Sequence, residues 1–263
     1  MAETDETTED ALLGGRIRLR QPLHGYRAAI DPVLLAAAVP LRDGDLVADV
    51  GLGTGAAALC LAARMPGVRV VGLEIQPDLV RLARDNAAGN GLADRVRVVE
   101  GDIATPPPGM TAEHFDVVMT NPPFGAAGTR PPDPQRATAH AGNDPDLLGP
   151  WLRFCLLLLR PKGRLVLIHR ADRLDELLAH LRAPPPLGRL GAIEIIPLWP
   201  REGEPARRVI VRGRKGLKSP LVLLPGLTLH EGTGYSERTT RILRGETEPG
   251  DPFVAAVATC RPK

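Results

Sequence analysis

Cysteine is scarce in this chain of 263 residues, which holds only Cys60, Cys155 and Cys260. Three cysteines, scattered and set in apolar or terminal contexts, exclude a disulfide framework and lack the close spacing of a zinc site. The cytoplasm is the compartment this usage fits. Long apolar runs are missing too: the longest, such as Cys155–Leu159, fall far short of the roughly 20 residues that span a bilayer, so no membrane partner is expected. The first ten residues carry Glu3, Asp5, Glu6, Glu9 and Asp10, which excludes a secretory signal with its basic start and apolar run. Neither sign of charge is in large excess. With a net charge of only +2, a nucleic-acid partner would be held by local clusters of Arg and Lys, not by a basic molecule as a whole. Histidines in metal-ligand or triad spacing are absent as well, and no metal is expected. His169-Arg170, at a strand end, fits a structural or phosphate-contacting role better than a catalytic one.

What the chain does have is apolar content, 43% of its residues, enough for one elaborated α/β domain. Residues 1–15 read as a disordered acidic tail, 16–218 as the main domain, and 219–263 as a C-terminal extension whose packing the sequence leaves open. No internal repeat is present. Asp31–Val39 predicts a short apolar helix in which Asp31 caps and Pro32 takes the first helical position. Leu46–Val50, Val68–Leu73, Arg95–Val99, Phe115–Thr120 and Arg164–His169 read as strands. Amphipathic stretches such as Ala56–Arg64 and Pro77–Ala88 lie between them, the pattern of βαβ units on a parallel sheet. Ala192–Leu198 and Arg207–Arg212 leave no room for a helix between them and predict an antiparallel pair. Leu221–Leu229 and Ser236–Leu243 suggest a last strand and a short helix. Thr105–Gly109, Gly125–Pro134 and Ala183–Gly188 read as loops.

The strand Leu46–Val50, which contains Asp49, runs directly into Gly51-Leu52-Gly53-Thr54-Gly55. Glycines there let the chain turn sharply and admit a ligand to the backbone, while the helix that follows offers free N–H groups. Glu74 ends the next strand about 20 residues on, where a carboxylate can accept hydrogen bonds from ribose hydroxyls. Asp102 follows the third strand, placed to meet an adenine amine. Together these strand ends predict a nucleoside site. The glycine run alone fits NAD as well as S-adenosylmethionine.

After the fourth strand comes Asn121-Pro122-Pro123-Phe124. Consecutive prolines donate no backbone hydrogen bonds and hold a stiff, extended conformation, so their carbonyls and the Asn121 amide make a rigid set of acceptors. An exocyclic base amine is a poor nucleophile because its lone pair is delocalised into the ring. Acceptors that grip its hydrogens turn that lone pair toward a methyl donor, and Phe124 would stack on the base. Such chemistry depends on positioning more than on a titrating base.

With these residues the chain resembles the class I methyltransferases, in the subgroup whose motif is Asn-Pro-Pro-aromatic. Arg20-Gln21-Pro22, Gly25-Tyr26-Arg27, Ile30-Asp31-Pro32-Val33-Leu34-Leu35, the glycine loop and Asn121–Phe124 together resemble the bacterial tRNA1(Val) adenine amine methyltransferase family, over about Leu19 to Arg214. The resemblance implies a Rossmann-like α/β fold, with a seven-stranded, mainly parallel sheet and an antiparallel last strand. It implies S-adenosylmethionine as cofactor and an RNA substrate, tRNA foremost, for the 16–218 domain. Asn121, Pro122, Pro123 and Phe124 would be the catalytic set. Asp49, Gly51, Gly53, Gly55, Glu74 and Asp102 would hold the cofactor, and a segment before the first strand would fold over it, bringing Asp31 and Gln21 near its methionine part. Adenine-modifying members usually carry Tyr where this chain has Phe124, and Phe there also occurs in enzymes that methylate the guanine amine of rRNA.

Alternatives to adenine in tRNA are therefore guanine in rRNA and the side-chain amide of a protein glutamine. An NAD-dependent oxidoreductase leaves Asn121–Phe124 unexplained, and an RNA-binding module on a degenerate methyltransferase fold leaves the intact glycine and carboxylate positions unexplained. Gly125–Pro145, with Arg130, Arg136 and His140, is a candidate loop over a flipped nucleotide. Arg201, Arg207, Arg208, Arg212, Arg214, Lys215 and Lys218 make the C-terminal hairpin a candidate phosphate-binding edge, or an edge strand charged against aggregation. Trp199 fits half-buried packing better than RNA stacking. Nothing in the sequence signals an oligomeric state.

Overall fold

A computed structural model describes residues 6–24, 27–123, 147–182 and 190–247. Its first element corrects the expectation of a disordered acidic tail. Strand β1 (Thr7–Leu12) pairs antiparallel with β2 (Ile17–Pro22) across a tight turn at Leu13–Gly15. Two of the charges that argued for disorder are neutralised by neighbours: Glu9 meets Arg18 at 3.3 Å and Asp10 meets Arg27 at 2.6 Å. On the other face Leu13, Ile17 and Leu19 are buried, so the hairpin recovers its ordering entropy by apolar burial.

Helix α1 (Asp31–Ala38) is apolar on every side and buried from Pro32 to Ala38. Ile30, not Asp31, takes the capping position, and Asp31 lies inside the first turn with its carboxylate drawn to Arg208 at 3.2 Å. Strand β3 (Leu46–Val50), helix α2 (Ala56–Arg64), strand β4 (Arg69–Glu74), helix α3 (Pro77–Gly89) and strands β5 (Val96–Glu100) and β6 (Phe115–Thr120) follow in alternation. Helix α4 (Leu148–Leu158), strand β7 (Leu159–Arg170), helix α5 (Leu174–Leu181) and the antiparallel strands β8 (Leu190–Trp199) and β9 (Arg208–Lys215) complete the main sheet.

Its order is β5-β4-β3-β6-β7-β9-β8, with β9 antiparallel to both neighbours and the other six strands running one way. Two-residue strands β10 (Val222–Leu223) and β11 (Leu227–Thr228) pair with the outer side of β8, so the sheet has nine strands where seven were expected. The segment expected to be one last strand is broken at Gly226, whose φ of +85° leaves the chain so close to β8 that a Cβ would lie 2.2 Å from the Pro197 carbonyl oxygen. The β12–β13 hairpin (His230–Glu231 with Gly234–Tyr235) and helix α6 (Glu237–Leu243) end the described chain. Ser236 caps α6 by accepting from the Thr239 amide, and Ile242 packs into the core beside α1 and α2.

The alternation of side chains along each strand divides the core. Val47, Val117, Val166 and Ile210 join α1, α2 and part of α3 on one face; Ala48, Val118, Leu165 and Val211 join α4 and α5 on the other. No described helix is long and apolar enough to cross a membrane.

Candidate active site

Parallel strands in register end together, and this aligns the candidate residues. Val50 of β3 lies opposite Leu73 of β4 and Thr120 of β6, so Gly51, Glu74 and Asn121 are the next residues on three adjacent strands. Glu74 in turn faces Glu100 of β5, two residues before Asp102. The carboxyl edge of the sheet is where ligands bind in open α/β folds.

The glycine loop takes its shape from left-handed backbone at Gly51, Gly53 and Gly55, with φ of +78°, +58° and +91°. The amides of Gly51 and Leu52 both donate to the Leu73 carbonyl at 2.9 Å, which binds the loop to β4. No side chain caps α2, so its first turn faces the loop with backbone N–H groups.

Glu74 is buried and holds the loop from the other side. Its Oε2 accepts from the Gly53 amide at 2.8 Å and its Oε1 from the amides of Ile75 and Gln76 at 3.0 Å. A carboxylate offers about four lone-pair sites, so one on Oε2 is left for a ligand hydroxyl. Asp49 lies buried beneath the same loop, where burial and the nearby Glu74 push its carboxyl up to about 7. Half-buried Asp102 accepts from the Ala104 amide at 3.0 Å through Oδ1.

At the end of β6 Thr120 is buried, and beyond it Asn121 is half-buried and Pro122 buried. Phe124 lies outside the described residues, as do Gly25, Tyr26, the Gly125–Pro145 loop and the Ala183–Gly188 loop. Gln21 closes the Gln21–Ala28 turn instead of facing the crevice: its amide oxygen accepts from Ala28 N at 2.7 Å and its nitrogen donates to Asp10 at 2.8 Å. Asp31 is engaged by Arg208, at the start of β9.

Two groups of residues escaped the sequence reading. Trp151 on α4 donates from its indole Nε1 to the Thr120 hydroxyl at 2.9 Å, and that hydroxyl donates to the Val50 carbonyl at 2.7 Å. The indole thereby joins the residue before Asn121 to the residue before Gly51. On α3, Asn86 donates to the carbonyls of Arg20 and Thr54 and accepts from the Arg20 amide, while Asn90 pairs with the backbone of Arg18. The N-terminal hairpin is thus bound to the glycine loop through a helix. A signal existed for Asn86: it falls in phase with the apolar residues Leu79, Leu82 and Ala83 on the buried face of α3.

The basic hairpin is corrected in part. Strand β9 is interior to the sheet, so it is not a charged edge strand. Arg212 is buried against Glu194 and the Ala38 carbonyl, and the ammonium of Lys215 is buried against the Leu159 carbonyl at 2.8 Å, so neither offers its charge to a phosphate. Trp199 is half-buried and donates to the Pro225 carbonyl. His169 is buried in β7, where burial pushes its imidazole down to about 4.

A methyltransferase domain model matches residues 47–141, which span the glycine loop through Asn121. The chain is 34% identical over 217 residues to the tRNA1(Val) (adenine(37)-N6)-methyltransferase of Aeromonas hydrophila, covering 81% of this chain and 86% of that one. It is 40% identical over 132 residues to the enzyme of the same name from Porphyromonas gingivalis, covering 49% of this chain and 51% of that one. Among solved structures, a predicted O-methyltransferase, Atu636 from Agrobacterium tumefaciens, superposes with a TM-score of 0.68 at 26% identity, over 82% of this chain and 97% of that one. Glycine loop, strand-end carboxylates and Asn-Pro-Pro thus occur in a chain similar over 81% of its length to the Aeromonas hydrophila enzyme, and it belongs to the tRNA1(Val) (adenine(37)-N6)-methyltransferase family of S-adenosylmethionine-dependent class I methyltransferases.

Proposed function

We propose that this enzyme methylates the exocyclic N6 amine of an adenine in tRNA, acting in the cytoplasm. The observation that carries the reading is the register of β3 and β6, in which Asn121 and Gly51 are next-door strand ends. Acceptor and donor sites then adjoin, as an in-line displacement requires.

The residues present fit S-adenosylmethionine. The free lone-pair site on Glu74 suits a ribose hydroxyl, Asp102 suits the adenine amine, and the uncapped start of α2 with the Gly51, Gly53 and Gly55 loop suits close backbone approach. Asp49, on β3 two residues before the loop, would hold the cofactor from beneath it. Asp31 would act from the first turn of α1, ahead of β3. When bound, the cofactor supplies an electrophilic methyl group on a sulfonium. The protein's part is to hold the amine: the Asn121 side-chain oxygen and the Pro122 carbonyl accept its two N–H bonds, which localises the nitrogen lone pair toward the methyl. Pro123 keeps the motif stiff, and Phe124 would stack on the ring.

The test is transfer of labelled methyl from S-adenosylmethionine into tRNA, rRNA and protein from cells lacking the enzyme, followed by nucleoside and amino-acid analysis. N6-methyladenosine in tRNA is the expected product. Methylguanosine in rRNA or methylglutamine in protein would overturn the substrate.

A further inference from the structure

Both β6 and β8 run in the same direction, so the end of β8 opens on the same edge of the sheet as Asn121. The intervening strands present Arg170 at the end of β7 and, paired opposite it, Arg208 at the start of β9. Leu198 of β8 pairs with Arg208, which brings Trp199, Pro200 and Arg201 to this edge. The His230 amide donates to the Pro200 carbonyl at 3.0 Å, and Arg201 braces the hairpin turn by donating to the Gly232 carbonyl at 2.6 Å. The β12–β13 hairpin is therefore fixed to the end of β8, three inter-strand steps of about 4.8 Å from β6.

Two features of this edge face solvent. First, Tyr235 is 43% exposed and is the only exposed aromatic residue among those described, in a chain with 3% Phe, Trp and Tyr. Its ring stacks on that of His230, its cross-strand partner, with centroids 4.8 Å apart and planes 24° from parallel. One face is thereby supported and the ring is held at little further entropic cost. Second, Arg170, Asp172, Ala206, Arg207 and Arg208 line an open cleft of about 390 Å3. Within it Arg170 is paired with Asp172 and Arg208 with Asp31, whereas exposed Arg207 meets no carboxylate among the described residues. A supported aromatic face and a guanidinium that meets no carboxylate among the described residues, both at this end of the sheet, are the two groups that bind single-stranded RNA, through base stacking and a phosphate contact.

We infer that this edge seats the RNA strand next to the target base, with a phosphate on Arg207 and a neighbouring base on Tyr235. The inference rests on the RNA-methylating reading for its partner, but it concerns a surface outside the methyl-transfer site. Seating the flanking strand three strands away from Asn121 leaves the adenine itself free to enter the acceptor site, as extrusion of a target base requires.

Two measurements on the full chain separate the inference from that reading. Binding of a single-stranded RNA oligonucleotide, followed by fluorescence anisotropy without cofactor, reads the surface alone. Tyr235→Ala is expected to weaken it by about ten-fold, as loss of one stacked base does, and Tyr235→Phe to leave it near the wild-type value. Arg207→Gln is expected to weaken it too and to reduce the slope of log affinity against log salt by about 0.7, one phosphate contact on a single strand. Methyl transfer to tRNA should then show a raised KM in Tyr235→Ala and Arg207→Gln with kcat and cofactor affinity unchanged. Oligonucleotide binding indifferent to both substitutions would overturn the surface whatever the transfer assay shows, whereas wild-type protein that binds RNA through Tyr235 and Arg207 yet methylates no tRNA would keep it and remove the substrate reading.

Discussion

Trp151 lies so close to Gly51 that a methyl group added to Gly51 would sit 2.7 Å from the indole Cζ2. Gly51 is therefore constrained twice, by a φ of +78° that disfavours any side chain and by the ring above it. Because the same indole donates to Thr120, displacing it also disturbs the residue that precedes Asn121. Gly51→Ala is expected to cost about 1–2 kcal/mol of backbone strain and to lower both cofactor affinity and methyl transfer. The displaced ring should be visible as a change in tryptophan emission. Thr120→Val leaves the loop glycine intact but strips the Val50 carbonyl and the indole N–H of their partner, and should destabilise the fold by about 1–3 kcal/mol in denaturant unfolding. A cofactor affinity untouched by Gly51→Ala would show that the loop does not approach the ligand.

Glu74 gives a second test, because its carboxylate serves the protein before it serves a ligand. Three backbone amides donate to it. In Glu74→Gln the amide nitrogen must replace one oxygen and would face either the Gly53 amide or those of Ile75 and Gln76, donor against donor. Calorimetric affinity for S-adenosylmethionine should drop at least ten-fold. The unfolding free energy of the cofactor-free protein should drop as well, by about 1–3 kcal/mol for an unsatisfied buried donor. A residue that only touched the ribose would change the first quantity and leave the second alone.

Asn86 is predicted to decide whether the N-terminal hairpin stays on the domain. Asn86→Leu keeps the side-chain volume but removes the bonds to both backbone groups of Arg20 and to the Thr54 carbonyl. Amide exchange should accelerate through Ile17–Pro22 while β3 and β6 remain protected, a local opening that precedes global unfolding. Uniform acceleration in all strands would instead mean that the hairpin and the sheet open as one unit.

How much was legible in the sequence follows from the range of the interactions involved. Leu46–Val50 and Phe115–Thr120 coincide with β3 and β6 because short β-branched runs bounded by glycine and proline are local signals. The antiparallel β8–β9 pair was legible for the same reason, since a short polar connection leaves no other geometry. The acidic N-terminus was not, because composition counts charges without their partners: Asp10 is neutralised by Arg27, 17 residues away. Arg212 and Lys215 looked like surface charge for the same reason, and their partners Glu194 and Glu113 come from elsewhere in the chain. Within the candidate site, glycines, carboxylates and Asn-Pro-Pro fall at strand ends, which strand boundaries alone locate. Trp151 reaches Thr120 only through the packing of α4 on the sheet, and no spacing in the sequence encodes that.

Two buried groups, Asp49 and His169, make stability depend on pH in opposite directions. Asp49 is pushed up to about 7, chiefly by burial, so the native protein keeps a proton that the unfolded chain releases from about pH 4 upward. Its contribution to stability is fully present below that pH and is lost as pH rises toward 7. His169 is pushed down to about 4, again chiefly by burial, so the native protein refuses a proton that the unfolded chain accepts below about 6.5. Its contribution is present above 6.5 and is lost as pH falls toward 4. Between roughly pH 4 and 6.5 the two slopes nearly cancel in the wild type, each being at most about 1.4 kcal/mol per pH unit. Asp49→Asn should therefore gain stability relative to wild type as pH rises across that window, and His169→Gln should lose it. Urea unfolding at pH 4.5, 5.5 and 6.5 measures both differences. Profiles for the two variants that run parallel to the wild type would mean that neither group carries its charge change into folding.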